Sequence, residues 1–133
     1  PPSDGYQPPY DPLVDVARQI DGVRQLKARL PKGMAVIASG LSYLQEYLPH
    51  VCQALLREGW TDMVGLGRVV LSYPTILYDA IKQGKVEKRY ICRTFSDCTT
   101  APRNGLPSGC FPLDEYYSSS PLAQDLKERK KAS

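Results

Sequence analysis

The chain has 133 residues, 42% hydrophobic and 23% charged, with a formal net charge of +3, an ordinary globular composition that excludes a disordered or collagen-like chain. No apolar run approaches the roughly 20 residues that cross a bilayer, and the basic residues are dispersed except for Lys127, Arg129, Lys130 and Lys131, so neither a membrane nor a nucleic acid is expected as partner. The four cysteines lack the density of a secreted disulfide framework and fit a reducing, cytoplasmic setting.

Residues 1–11 hold four of the twelve prolines and read as a surface loop. Asp11-Pro12 predicts a helix start, with Asp11 as N-cap and Pro12 at the first helical position. Leu13, Val16, Ala17, Ile20, Val23, Leu26 and Leu30 recur at three- and four-residue steps and give one apolar stripe, which Pro31-Lys32-Gly33 ends. Residues 35–38 form a strand apolar on both faces, as in a buried parallel sheet. A short helical turn over residues 43–47 leads to a helix opened by Pro49, which carries Val51, Cys52, Leu55 and Leu56 inward and stops at Gly59. A second short strand centres on Met63-Val64. Residues 69–73 fit a short helix, Pro74 breaks the chain, and residues 75–83 form a further helix capped at Gly84. Residues 85–120 are irregular, and residues 121–131 form a last, mostly polar helix.

The recurring unit is an apolar strand that ends in glycine. Met34-Ala35-Val36-Ile37-Ala38-Ser39-Gly40 and Asp62-Met63-Val64-Gly65-Leu66-Gly67-Arg68 are separated by one helix. Parallel strands ending in such turns present backbone N–H groups on one side of a sheet, which suits an anion such as phosphate. In (β/α)₈ barrels the usual phosphate site lies at the loops after strands seven and eight, next to a short extra helix. The expected fold class is therefore α/β, the C-terminal part of a TIM barrel. Residues 1–84 supply the last βα units, and residues 85–133 a cysteine-containing extension with a terminal helix. A whole barrel needs about 250 residues, so a longer parent protein is expected. A small free-standing α/β domain is the alternative; against it, two parallel strands and a few helices cannot cover both sheet faces.

The run 62–68 followed by Leu71-Ser72-Tyr73-Pro74 resembles the last strand and phosphate turn of the old yellow enzyme family, the flavin-dependent NADH oxidoreductases that include the dienoyl-CoA reductase type. Ile91-Cys92-Arg93-Thr94-Phe95-Ser96-Asp97-Cys98-Thr99-Thr100-Ala101-Pro102-Arg103-Asn104-Gly105 resembles a bacterial branch of it, and Pro2-Ser3-Asp4-Gly5-Tyr6 the connection after strand six. The resemblance implies FMN, with NAD(P)H as electron donor and a small substrate carrying an activated double bond or other reducible group. Ser39 and Gly40 would then give phosphate contacts from the seventh turn, and Gly67 and Arg68 from the eighth. The family's catalytic side chains lie on earlier strands, so no catalytic residue is assigned and this stretch alone is expected to be inactive. His50 falls on a helix and reads as a surface or packing residue. A non-redox barrel enzyme holding a phosphorylated substrate at the same turns, of aldolase or isomerase type, is the alternative.

Larger members of that family carry a four-iron cluster after strand eight, which takes four thiolates. Cys98 and Cys110 keep the eleven-residue gap of its last two ligands, but the first two would fall at Ile91 and Thr94, and Cys92 is one position out of register. Cys92, Cys98 and Cys110 are thus candidate iron–sulfur ligands that do not complete a set within this chain. A zinc site completed by an outside ligand, or reduced thiols in a packed loop, are the alternatives.

Overall fold

Asp11 and Pro12 start the first helix as expected. The Asp11 carboxylate accepts the Leu13 N–H at 2.8 Å, Pro12 fills the first turn, and α1 runs Pro12–Arg29. The structure, a computed structural model, describes residues 9–132. The loop expected over residues 1–11 and the segment 2–6 lie largely outside the described residues. Beyond α1 come β1 (Ile37–Ala38), a 3₁₀ segment (Ser42–Tyr47), α2 (Leu48–Arg57), β2 (Met63–Val64), α3 (Val69–Ser72) and α4 (Ile76–Lys82). The extension holds a 3₁₀ turn (Lys88–Tyr90), α5 (Asp97–Arg103), α6 (Glu115–Ser118) and α7 (Pro121–Ala132). The described residues are mostly helical with one parallel pair of strands among them, Ile37 opposite Met63 and Ala38 opposite Val64, an α/β arrangement. Among the described residues no helix is long and apolar enough to cross a membrane.

Such short strands need side-chain support, and Thr61-Asp62 supplies it. The buried Thr61 hydroxyl accepts the Ala38 N–H at 3.0 Å and lies 2.9 Å from the Val36 carbonyl and 2.8 Å from that of Met63, to either of which it can donate its one proton. The Asp62 carboxylate accepts the Val36 N–H at 2.7 Å and pairs with Lys27 of α1 at 2.6 Å. One dipeptide thus ties β2 to β1 and β1 to α1.

The helix ends follow from glycine. At the end of α2, Gly59 has φ +65°, its N–H donates to the Leu56 carbonyl and the Trp60 N–H to that of Leu55, a complete Schellman motif. α5 ends the same way at Gly105 and Leu106, which donate to Pro102 and Ala101. The irregular reading of residues 85–120 missed α5 because Pro102 lies inside it. Proline leaves the carbonyl four residues back without its helical donor; that carbonyl, of Cys98, accepts the Ser108 hydroxyl at 2.7 Å instead.

Two apolar clusters form. Val16, Ala38, Leu41, Leu48, Leu55, Val69, Tyr73, Ile76 and Ile91 make the first, and Ala101, Leu106, Phe111 and Leu126 the second. Several residues expected inside are outside. Val36 and Ala38 are buried, but Ile37 is 57% exposed and its partner Met63 48%. The helices cover one face of the strand pair, and among the described residues nothing covers the other. Leu13 and Leu26 of α1 and Leu56 of α2 are exposed as well, since only the Val16–Ile20–Val23 strip of α1 reaches the core.

Thr61→Val keeps the β-branched shape but leaves the buried Ala38 N–H without an acceptor, so stability should fall by about 1–3 kcal/mol, read by denaturant unfolding, whereas Thr61→Ser should restore most of it. The Lys27 ammonium, and then the Val36 N–H, hold the Asp62 carboxyl below its ordinary value. A group whose folded pKa is lowered stabilises the fold above its unfolded pKa, near about 4, and that stabilisation is lost as pH falls through the lower folded value. Asp62→Asn should therefore flatten the acid limb of the stability profile below about pH 4 without changing its slope between pH 6 and 8.

Candidate anion-binding cleft

The two turns that follow β1 and β2 lie side by side. The Gly65 N–H donates to the Ala38 carbonyl at 2.7 Å, and a Cβ at Gly65 would sit 3.4 Å from the Ile37 and Ser39 side chains, so the second turn packs directly on the first. Ser39, Gly40, Gly67 and Arg68 all line one cleft of about 560 Å³, within the size range of small-ligand sites. Sequence reasoning singled out these four, and the structure brings them together.

Gly40 sits at φ +78°, a conformation glycine adopts without the steric cost of a Cβ. Gln19 of α1 lies over it: its amide donates to the Ser39 carbonyl at 2.5 Å, and a Cβ at Gly40 would meet the Gln19 amide nitrogen at 2.6 Å. That bond ties the Ser39 carbonyl to α1. Among the described residues the N–H groups of Gly40, Gly67 and Arg68 donate to no acceptor. A Cβ at Gly67 would meet nothing within 4 Å. The Arg68 guanidinium donates to the Ser96 hydroxyl at 3.3 Å and has no carboxylate partner among the described residues. Three unmet N–H donors and a guanidinium without a direct ion pair give this side of the cleft the charge and hydrogen-bonding sense for an oxyanion.

The far wall, which the sequence reading did not assign, comes from α1. Pro12, Asp15, Val16 and Gln19 fall on one helical face toward the cleft. The available signal was the pair of polar residues at positions 15 and 19 flanking the buried Val16. Thr94, from the extension, closes the cleft beside Arg68. His50 is exposed on α2, away from the cleft, and lines a separate groove with Glu46 and Lys85.

Comparison with protein-family models, with curated proteins and with solved structures finds no match to this chain. The site's chemistry therefore rests on its geometry alone.

Behind Arg68, the three candidate cluster cysteines line one small cavity of about 20 Å³, so segments 92–98 and 110–113 do converge. Their arrangement does not meet ligand geometry: among the described residues no group of three or more His, Cys, Asp or Glu side chains is placed to hold a metal ion. Burial pushes the Cys98 and Cys110 thiols above the ordinary value, with the Arg68 guanidinium opposing the shift at Cys98. Cys52 is raised by burial too and packs against the first apolar cluster.

The two glycines should separate fold from site. Gly40→Ala forces a left-handed alanine into the Gln19 amide and should destabilise the chain by at least about 1–2 kcal/mol. Gly67→Ala meets no protein atom and should leave the unfolding midpoint within error while crowding the cleft and weakening phosphate binding, measured by calorimetry.

Proposed function

We propose that this chain is the C-terminal part of a (β/α)₈ barrel in a cytoplasmic, FMN-dependent NAD(P)H oxidoreductase of the old yellow enzyme kind, in which the cleft holds the phosphate of FMN. The observation that carries the reading is the meeting of Ser39, Gly40, Gly67 and Arg68 at the carboxyl ends of two adjacent parallel strands, with three N–H donors unmet and one guanidinium without a carboxylate partner among the described residues. A second feature supports the barrel. Uncovered apolar side chains lie on the open sheet face (Ile37, Met63), on α1 (Leu13, Leu26) and on α4 (Leu77, Tyr78, Ile81), as the inner face and flanks of a barrel wedge would present them.

In this reading the chain's own residues bind and orient. The Gly40 and Gly67 amides and the Arg68 amide grip phosphate oxygens, and the Arg68 side chain neutralises their charge. Gln19 fixes the Ser39 carbonyl so that the turn keeps its N–H groups toward the ligand. A flavin anchored there supplies hydride transfer between NAD(P)H and an activated double bond or other reducible group. The proton-donating and substrate-polarising groups are assigned to other parts of the protein, and no cluster chemistry is assigned to Cys92, Cys98 and Cys110.

The test is made on protein expressed from the complete coding sequence. Purified protein should show flavin absorbance, and Arg68→Ala should weaken FMN retention on dialysis by about 1.5–3 kcal/mol, the range for a hydrogen bond to a charged group. A colourless protein that does not take up added FMN, or unchanged retention in the variant, would overturn the assignment.

A further inference from the structure

Resting on the anion reading of this cleft, we infer that it selects phosphate esters of hydroxylated chains over bare or alkyl phosphates, and that Asp15 is the residue that sets the preference. The cleft has two unlike walls. One offers the unpaired N–H groups of Gly40, Gly67 and Arg68 and a guanidinium. The other offers the Asp15 carboxylate, one helical turn before Gln19 on the same face of α1. Its ion partner, Arg18, is 3.8 Å away with 57% of its side chain exposed, a weak surface contact that leaves the carboxylate free to accept hydrogen bonds.

A carboxylate opposite an anion site is unfavourable for a small ligand made only of phosphate oxygens, which are acceptors and carry like charge. It becomes favourable once the ligand extends beyond its phosphate and brings hydroxyl groups, since a hydroxyl donates to carboxylate in a charge-assisted bond. The space between the walls suits such a chain. Ser42, Tyr43 and Thr94 line it, and among the described residues none of their hydroxyls has a hydrogen-bond partner. Each can donate to or accept from a polyol. Donors for phosphate together with a carboxylate and three hydroxyl-bearing residues lining the same cleft are the complement of a polyhydroxy-alkyl phosphate. A sugar phosphate and the ribityl phosphate of a flavin share that chemistry.

Glycerol 3-phosphate and ethyl phosphate carry the same charged group and differ in hydroxyls, so they isolate the effect. Titration calorimetry of each, and of inorganic phosphate, is run on protein from the complete coding sequence stripped of bound flavin, with its circular dichroism matched to the unstripped protein. Glycerol 3-phosphate should bind about tenfold more tightly than ethyl phosphate, the size of one hydrogen bond to a charged acceptor. Asp15→Asn should bring the two esters to within about twofold and tighten inorganic phosphate. Equal binding of the two esters by the unaltered protein, or an unchanged ratio in Asp15→Asn, overturns the preference while leaving the anion site standing. If neither ester nor inorganic phosphate binds, the anion reading falls and this inference with it. A protein that takes up no added FMN yet prefers glycerol 3-phosphate keeps the inference and directs the function toward sugar phosphates.

Discussion

Everything in this chain that resembles a site depends on the Thr61-Asp62 clamp. A two-stranded parallel sheet with two residues in each strand has too few ladder bonds to fix its own register. The Thr61 hydroxyl reaches three backbone groups of the strand pair, and the Asp62 carboxylate joins the Val36 amide to Lys27 of α1. These bonds set where β1 and β2 end, and therefore where Ser39-Gly40 and Gly65-Leu66-Gly67-Arg68 turn. A one-residue slip between the strands would carry the apolar side chains to the opposite face and separate the two sets of amides. The clamp is buried at Thr61 and exposed at Asp62, so its polar half answers to pH while its inner half does not.

The cleft built on those turns is polar in a way the fold can tolerate. An unmet amide in a dry core would cost on the order of 1–3 kcal/mol; on an open cleft, water meets it until a ligand does. Arg68 is likewise exposed, so its lack of a carboxylate carries little penalty. The arrangement stores hydrogen-bonding capacity where a ligand can reach it, and Gln19 ties the first turn to α1 through the Ser39 carbonyl.

Much of this was legible because glycine, proline and capping residues act locally. Asp11-Pro12, Gly59 and Gly84 place helix ends with no help from tertiary structure, and the two strand-to-glycine runs mark the turns. What failed to be legible depends on which neighbours are present. Apolarity on both sides of residues 35–38 suggested a strand buried on both faces, yet Ile37 and Met63 face outward because burial needs a second layer. The stripe on α1 was overread at Leu13 and Leu26 for the same reason. α5 was hidden by Pro102, whose lost hydrogen bond is replaced by Ser108, a contact between residues ten apart in sequence. Asp15 and Gln19 look like ordinary exposed helix residues until the turn after β1 is set against them.

The cysteine-bearing extension is part of the cleft's construction rather than a tail beside it. Ile91 is buried in the first apolar cluster and Ala101 in the second, so residues 92–100 bridge the two. Within that bridge Thr94 and Ser96 adopt φ of +58° and +66°, a conformation costing about 1–2 kcal/mol for each non-glycine residue. Local bonds offset it: the Ser96 carbonyl accepts from the Thr99 and Thr100 amides at 2.9 and 3.0 Å, and from their hydroxyls at 2.8 and 3.2 Å. The same turn puts the Ser96 hydroxyl within reach of Arg68 and Thr94 at the mouth of the cleft. Lys130 pairing with Asp97, and Arg129 donating to the Asn104 carbonyl, then hold α7 against both ends of α5. The guanidinium that gives the cleft its charge is therefore oriented by a residue whose own strained backbone is held by the extension, which makes residues 85–132 a requirement for the site even though all four named phosphate-site residues lie in the βα units.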